Sequence, residues 1–218
     1  YKIGTPNQLM WFGTMINNGK PTLNAVLTAD LDFAELPSEK YVIIGRPNLP
    51  FKGTFDGQYH TISNYTLVSN EERVGIFGVT NGGVKIRNLR MDETCSITGS
   101  SNVGMIGWCA NAGDAYYENL GYEGTITATG GQAGAILGVN NNNVAVIHLT
   151  NCYMTGHVKA ASNAALIAGG IGNLAGNTVT GCWASGTVEG KESELKEFIR
   201  YANAKFTNCY SISGKNDK

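Results

Sequence analysis

Three histidines and five cysteines are the most reactive side chains in this chain of 218 residues. A zinc hydrolase would place them in patterns such as H-E-x-x-H. His60, His148 and His157 lie in "YHT", "IHL" and "GHV", with no Glu beside them. No metal is expected. Cys152, Cys182 and Cys209 recur at gaps of 30 and 27 residues, which is not ligand spacing. They read as a column of buried reduced thiols, with a disulfide between neighbouring repeats as the alternative. Cys95 and Cys109 make the count odd, so no complete disulfide framework is expected.

Glycoside cleavage needs clustered carboxylates. Asp30, Asp32 and Asp56 fall near the start of the chain, and Asp56-Gly57 reads as a turn. Arg87 and Arg90 share a segment with Asp92 and Glu93, a mixture that reads as a solvated face. No catalytic residue is assigned, and the chain is expected not to be an enzyme.

Aromatic residues offer better binding chemistry, because ring faces hold sugars and peptides by stacking. Tyr153, Trp183 and Tyr210 each lie two residues past the same repeated anchor. They form one candidate ligand-binding column; their alternative role is to stack on one another or pack beneath a C-terminal helix. A second candidate is the 108–119 segment "WCANAGDAYYEN", with Trp108, Tyr116 and Tyr117 beside Asp114. The polar "NNNN" run at 140–143 is expected on the neighbouring repeat.

The elements that position these residues are repeats. "GIFG" (75–78) returns as "GMIG" (104–107), "GAILG" (134–138) and "ALIAG" (165–169). Polar loops lead from each to an Asn or Gly in an apolar frame: Asn64, Asn88, Asn119, Asn151, Gly181 and Asn208, at gaps of 24, 31, 32, 30 and 27. Asn and Gly share access to the left-handed region, so the anchor is expected to be a backbone bend. Stacked anchors would let Asn side chains bond from coil to coil.

Residues one past the anchor (Tyr65, Leu89, Leu120, Cys152, Cys182, Cys209) and three past it (Leu67, Met91, Tyr122, Met154, Ala184, Ser211) are expected to point inward. Ile97, Ile126, Val158 and Val188 form another inward column, and the bulky residues of the glycine element a third. A period near thirty built of strands too short to bury a face alone predicts a solenoid. The expected fold is all-β: a right-handed parallel β-helix of about six coils, three strands each, with the glycine element as strand three.

Thr5 as N-cap, Pro6 and Gly19 bracket a helix over 6–17 whose Leu9, Phe12, Met15 and Ile16 should cover the open end. Residues 1–23 are therefore a capping segment and 24–218 the β-helix. "KESELKEFIRYANA" (191–204) predicts a short second helix, with Glu192 four residues before Lys196.

Composition agrees with a turn-rich β-chain: 29 glycines, only 15% charged residues, and net charge −1 from 16 basic and 17 acidic groups. No basic patch suggests a nucleic-acid partner, and no run of eighteen apolar residues suggests a membrane span. The glycine elements lack the Lys and following helix of a phosphate loop, so no cofactor is expected. The chain opens without a basic start or an initiator Met, and reads as a mature fragment whose export signal lies outside it.

The "GIFG" and "GMIG" elements resemble the GLUG motif of bacterial surface proteins. "FKGTFDGQYHTISNYTL" (51–67) is similar to the segment that introduces those repeats, and "TNCYMTGHV" (150–158) and "TGCWASGTV" (180–188) resemble their Asn-Cys-Tyr strand. The likeness covers most of residues 5–190; Ala165 departs from it, and the last repeat lacks the element. Such repeats occur in adhesins, in N-terminal regions of immunoglobulin-A-cleaving metallopeptidases and in exported Bacteroides proteins. The resemblance implies a secreted or cell-surface binding module, with a glycan or host protein as partner. A passive spacer in a larger exported protein and a polysaccharide-degrading β-helix are the alternatives.

Overall fold

Every anchor has the backbone its residue type implies. Asn64, Asn88, Asn119, Asn151 and Asn208 lie at φ between 52° and 55°, and Gly181 at 63°. The computed structural model describes residues 1–140, 144–191, 193, 195–200 and 203–212. Within these, every pair of named strands is parallel, and the chain winds into a β-solenoid of about six turns.

Three successive coils contribute strands to four sheets rather than the expected three, and the later coils meet the fourth sheet only through isolated bridges at Ala168 and Ile199. In the second coil the four strands are Lys85–Met91, Ser96–Gly99, Ser101–Val103 and Ile106–Cys109. The first runs straight through the anchor, so the Asn bends the strand without ending it. Lys85–Met91 pairs with Gly113–Tyr122, which pairs in turn with Ala145–Thr150. The glycine element straddles the sharp bend between the last two strands of a coil: its first residues turn the corner and its last two, Phe77–Gly78 or Ile106–Gly107, open the final strand. That bend presses the element's second glycine onto its neighbours: a Cβ on Gly107 would meet the Gly78 carbonyl oxygen at 2.7 Å and the Arg73 backbone closer still.

The inward columns pack as their periodicity dictates. Leu89, Leu120, Cys152 and Cys182 are buried, as are Met91, Tyr122, Met154 and Ala184, and Ile97, Ile126, Val158 and Val188 form their own column. Ile76, Met105, Ile106, Ile136, Leu166 and Ile167 fill the corner at the glycine bends. Cys209, on the last described coil, is only half-buried.

Asn64 is not in line with the other anchors. Asp56 pairs with Arg87, whereas Thr61 pairs with Arg90, so this coil carries two extra residues. Gln58 and Tyr59, both at positive φ, absorb them. The anchor register therefore belongs to Gly57, and Asn64 turns the following corner, with its side chain on Asp32 Oδ1 at 2.8 Å.

The helix spans Pro6–Asn17, and the Thr5 hydroxyl accepts from the Gln8 amide as its N-cap. It buries Leu9, Met10, Phe12 and Ile16. Phe12 meets Phe51 and Phe55, and Phe55 lies edge-on to Phe77 across the same coil. Lys2–Ile3 already pairs with Ala25–Leu27, so the cap and the solenoid share a sheet.

The expected second helix is absent from the described residues. Leu195–Lys196 pairs with Ala164–Ala165, and Ile199 bridges to Ala168, so this segment continues the coil. Register with the coil before it outweighs the helical spacing of Phe198 and Ile199. Glu192 lies outside the described residues, and with it the pairing expected with Lys196.

Candidate functional site

Tyr153, Trp183 and Tyr210 come together, one above the other on the outer face of the long sheet. Their rings are nearly parallel: centroids are 5.1 Å apart at 8° for Tyr153 and Trp183, and 6.2 Å at 11° for Trp183 and Tyr210. The other face of Tyr153 lies on Gly121, where no side chain intervenes. Its hydroxyl donates to Glu123 Oε1 at 2.6 Å, and Glu123 also takes a two-pronged contact from Arg90 at 2.8 and 2.7 Å. Burial and the bond to Glu123 push the Tyr153 hydroxyl up to about 12. The Arg90 bonds, with help from Tyr153, hold the Glu123 carboxyl below its usual range despite partial burial. Both faces of Trp183 and one face each of Tyr153 and Tyr210 are occupied by the rings themselves, while Tyr210 stays exposed and lines a hollow of about 390 Å³ with Phe198 and Phe206.

Tyr116 and Tyr117 separate by strand alternation. Tyr117 points into the core, fully buried, with its hydroxyl 2.7 Å from Thr80 Oγ1. That removes it from any surface ligand. Tyr116 points out, stacks on His148 at 4.7 Å, and lies beneath the Lys85 ammonium. His148 is held from both sides: Nε2 is 2.8 Å from Asp114 Oδ1 and Nδ1 is 2.8 Å from Thr178 Oγ1. The Asp–His–Thr order resembles a nucleophilic triad; the three residues come from successive coils, and the ring bridges them.

The carboxylates are also tied between coils. Arg87 Nε donates to Asp56 Oδ2 at 2.9 Å, and Asn88 donates to Asp56 Oδ1 at 2.9 Å. Burial alone would raise the Asp56 carboxyl; the bonds from Asn88 and the Gln58 amide, with the Arg87 charge, bring it below its usual range. Among the described residues no three His, Cys, Asp or Glu side chains gather as metal ligands would. None of the five cysteines forms a disulfide; burial raises Cys95 to about 12 and pushes Cys152 well up.

Trp108 has open space beside it. It stands on the outer side of Ile106–Cys109, between Val79 and Val139 of the adjoining coils. A cavity of about 290 Å³ adjoins it, lined by Pro47, Arg73, Val79, Asn111 and Val144 among others. Pro47 comes from the tight turn closed by Arg46 and Leu49. The Arg73 guanidinium carbon lies 3.9 Å from the centre of the Trp108 ring. A second hollow of about 300 Å³ shares Pro47, Arg73 and Val79 and continues past Arg46, Glu71 and Glu72. Asn141–Asn143, the core of the polar run expected nearby, lie outside the described residues.

Sequence reasoning missed Arg73. Its signal was available: "RVG" (73–75) and "NVG" (102–104) occupy the same place in successive coils. An Arg where the next coil uses Asn is a departure that marks the position.

Sheets, register and core define the class: a parallel β-solenoid with an N-terminal helical cap. It is similar in fold to the crystal structure of a "putative immunoglobulin A1 protease" from Bacteroides ovatus, with a TM-score of 0.66 and 20% identity over 97% of this chain and 74% of that one. At that identity the likeness establishes the fold alone. No family model and no curated protein matches the chain.

Proposed function

We propose that this chain is a non-enzymatic binding module of a bacterial protein exported to the cell surface or secreted. The observation that carries it is the cavity beside Trp108, which is walled by three successive coils and a turn. A solenoid holds such a site rigidly, so little ordering cost is incurred on binding. The GLUG-like motifs and the fold shared with the Bacteroides ovatus structure support the setting. A glycan or a host protein is the partner class, and weak single contacts would be strengthened by repeated display.

A glycan and protein array probed with wild type and Trp108→Ala tests the reading. Binding that Trp108→Ala removes, without loss of fold, supports it. Absence of any ligand over both arrays would leave the spacer reading, which the self-stacked Tyr153, Trp183 and Tyr210 column favours.

A further inference from the structure

Arg73 occupies a position that the fold prefers to give to another residue. Its φ is 63°, in the left-handed region, where long side chains are disfavoured. Asn102, its counterpart one coil on, has φ 53° and a side chain suited to that conformation. A second cost accompanies the first. Arg73 Nε and Trp108 Nε1 are both shut away from water, and neither has a hydrogen-bond acceptor among the described residues. Two buried donors without acceptors are unusual in a folded protein. Stacking on the indole is the contact that Arg73 makes in return.

The surroundings indicate what is missing. Arg73 is the one charged side chain among the described residues lining the cavity; the others are apolar apart from Asn111 and the indole N–H. Glu71 and Glu72 line the adjoining hollow, yet Arg73 has no ion pair among the described residues. Unsatisfied donors beside an unpaired cation call for an anionic acceptor. A guanidinium matches a carboxylate with two parallel bonds. The remaining space, an indole and the Asn111 amide suit a ring bearing hydroxyls.

We infer that the Arg73–Trp108 cavity binds the carboxylate of an acidic sugar, of the uronic or sialic type. This rests on the binding-module reading and gives it a ligand class. Arg73 draws off the indole towards the carboxylate, Nε gains its acceptor, and the uncovered ring face and N–H meet the sugar.

The test titrates the full chain with oligosaccharides ending in glucuronate or sialate, their methyl esters, neutral counterparts and an oligoglutamate peptide. Calorimetry and indole fluorescence are the readouts. Acidic sugars should bind and perturb the fluorescence, and their methyl esters should bind at least tenfold more weakly. Arg73→Asn copies the next coil, so it should fold with an unchanged or higher melting temperature and lose the preference for acids. Equal binding of acid and ester overturns the ligand class while leaving a binding module. Binding of oligoglutamate alone overturns the sugar. Undiminished binding by Arg73→Asn, or its failure to fold, overturns the site. No heat and no fluorescence change with any acidic sugar at millimolar concentration overturns the inference, while array hits elsewhere on the surface would keep the broader reading alive.

Discussion

The side-chain amide of Asn119 donates to Asn88 Oδ1 across 2.7 Å, one coil away. Asn151 donates to Asn119 at 3.2 Å, and Asn88 to Asp56, so a single polar ladder climbs four coils. Gly181 interrupts it one step later while keeping the same backbone bend. Each Asn therefore combines a left-handed turn with coil-to-coil bonding.

These two contributions separate by mutation. Asn119→Gly keeps the bend and loses two side-chain bonds, each contributing about 1 kcal/mol. Asn119→Ala loses the same bonds and adds the left-handed penalty, about 1 kcal/mol more. Urea denaturation should rank wild type above Gly above Ala. An Ala variant as stable as the Gly variant would show that the bend is not strained.

Acid should loosen the lower end of this ladder. Asp56 and Glu123 both have folded-state carboxyls held below their usual ranges. A depressed carboxyl contributes stability above its unfolded value, near 4, and loses it as pH falls through the folded value. Wild type should thus lose stability progressively below about pH 4. Asp56→Asn should cost about 2 kcal/mol at pH 7 by removing charge-assisted bonds and should flatten the acid slope. An unaltered slope would assign acid sensitivity to other carboxylates, such as Asp30 and Asp32.

Much of this was legible in the sequence because Asn and Gly share one conformational property and alternate strictly with buried residues. Leu89, Leu120, Cys152 and Cys182 could be placed inward by counting alone. Counting failed where residues were inserted: the two at Gln58 and Tyr59 moved Asn64 off the line. It also failed at 191–204, where apolar spacing mimics a helix but pairing with Ala164 and Ala165 decides. Side-chain contacts between coils were the least legible. Nothing in the spacing of Tyr153 and Trp183 distinguishes open ring faces from stacked ones, and Arg73 is separated from Trp108 by a full coil.

Thiol chemistry reports the same register. Cys152 and Cys182 are buried one above the other, with the Cys152 amide 3.3 Å from the Cys182 sulfur. Cys209 ends the column half-exposed. A native thiol titration should label Cys209 first and leave Cys95, Cys109, Cys152 and Cys182 to react on unfolding. Rapid native labelling of Cys152 would mean that its strand is one residue out of register.

The Trp183 stack decides between packing and recognition. Trp183 has Tyr153 on one face and Tyr210 on the other. Aromatic pairs contribute about 0.5–1.5 kcal/mol each beyond their buried area, so Trp183→Ala should cost roughly 1–3 kcal/mol through two pairs. Trp183→Phe, which keeps a stacked ring, should recover most of that. Neither variant should change glycan binding, because the site proposed here lies beside Trp108. A Trp183→Ala protein with wild-type melting but reduced binding would reverse the assignment. The rings would then have to separate to admit a ligand, and the column would be the recognition surface in place of the Arg73–Trp108 cavity.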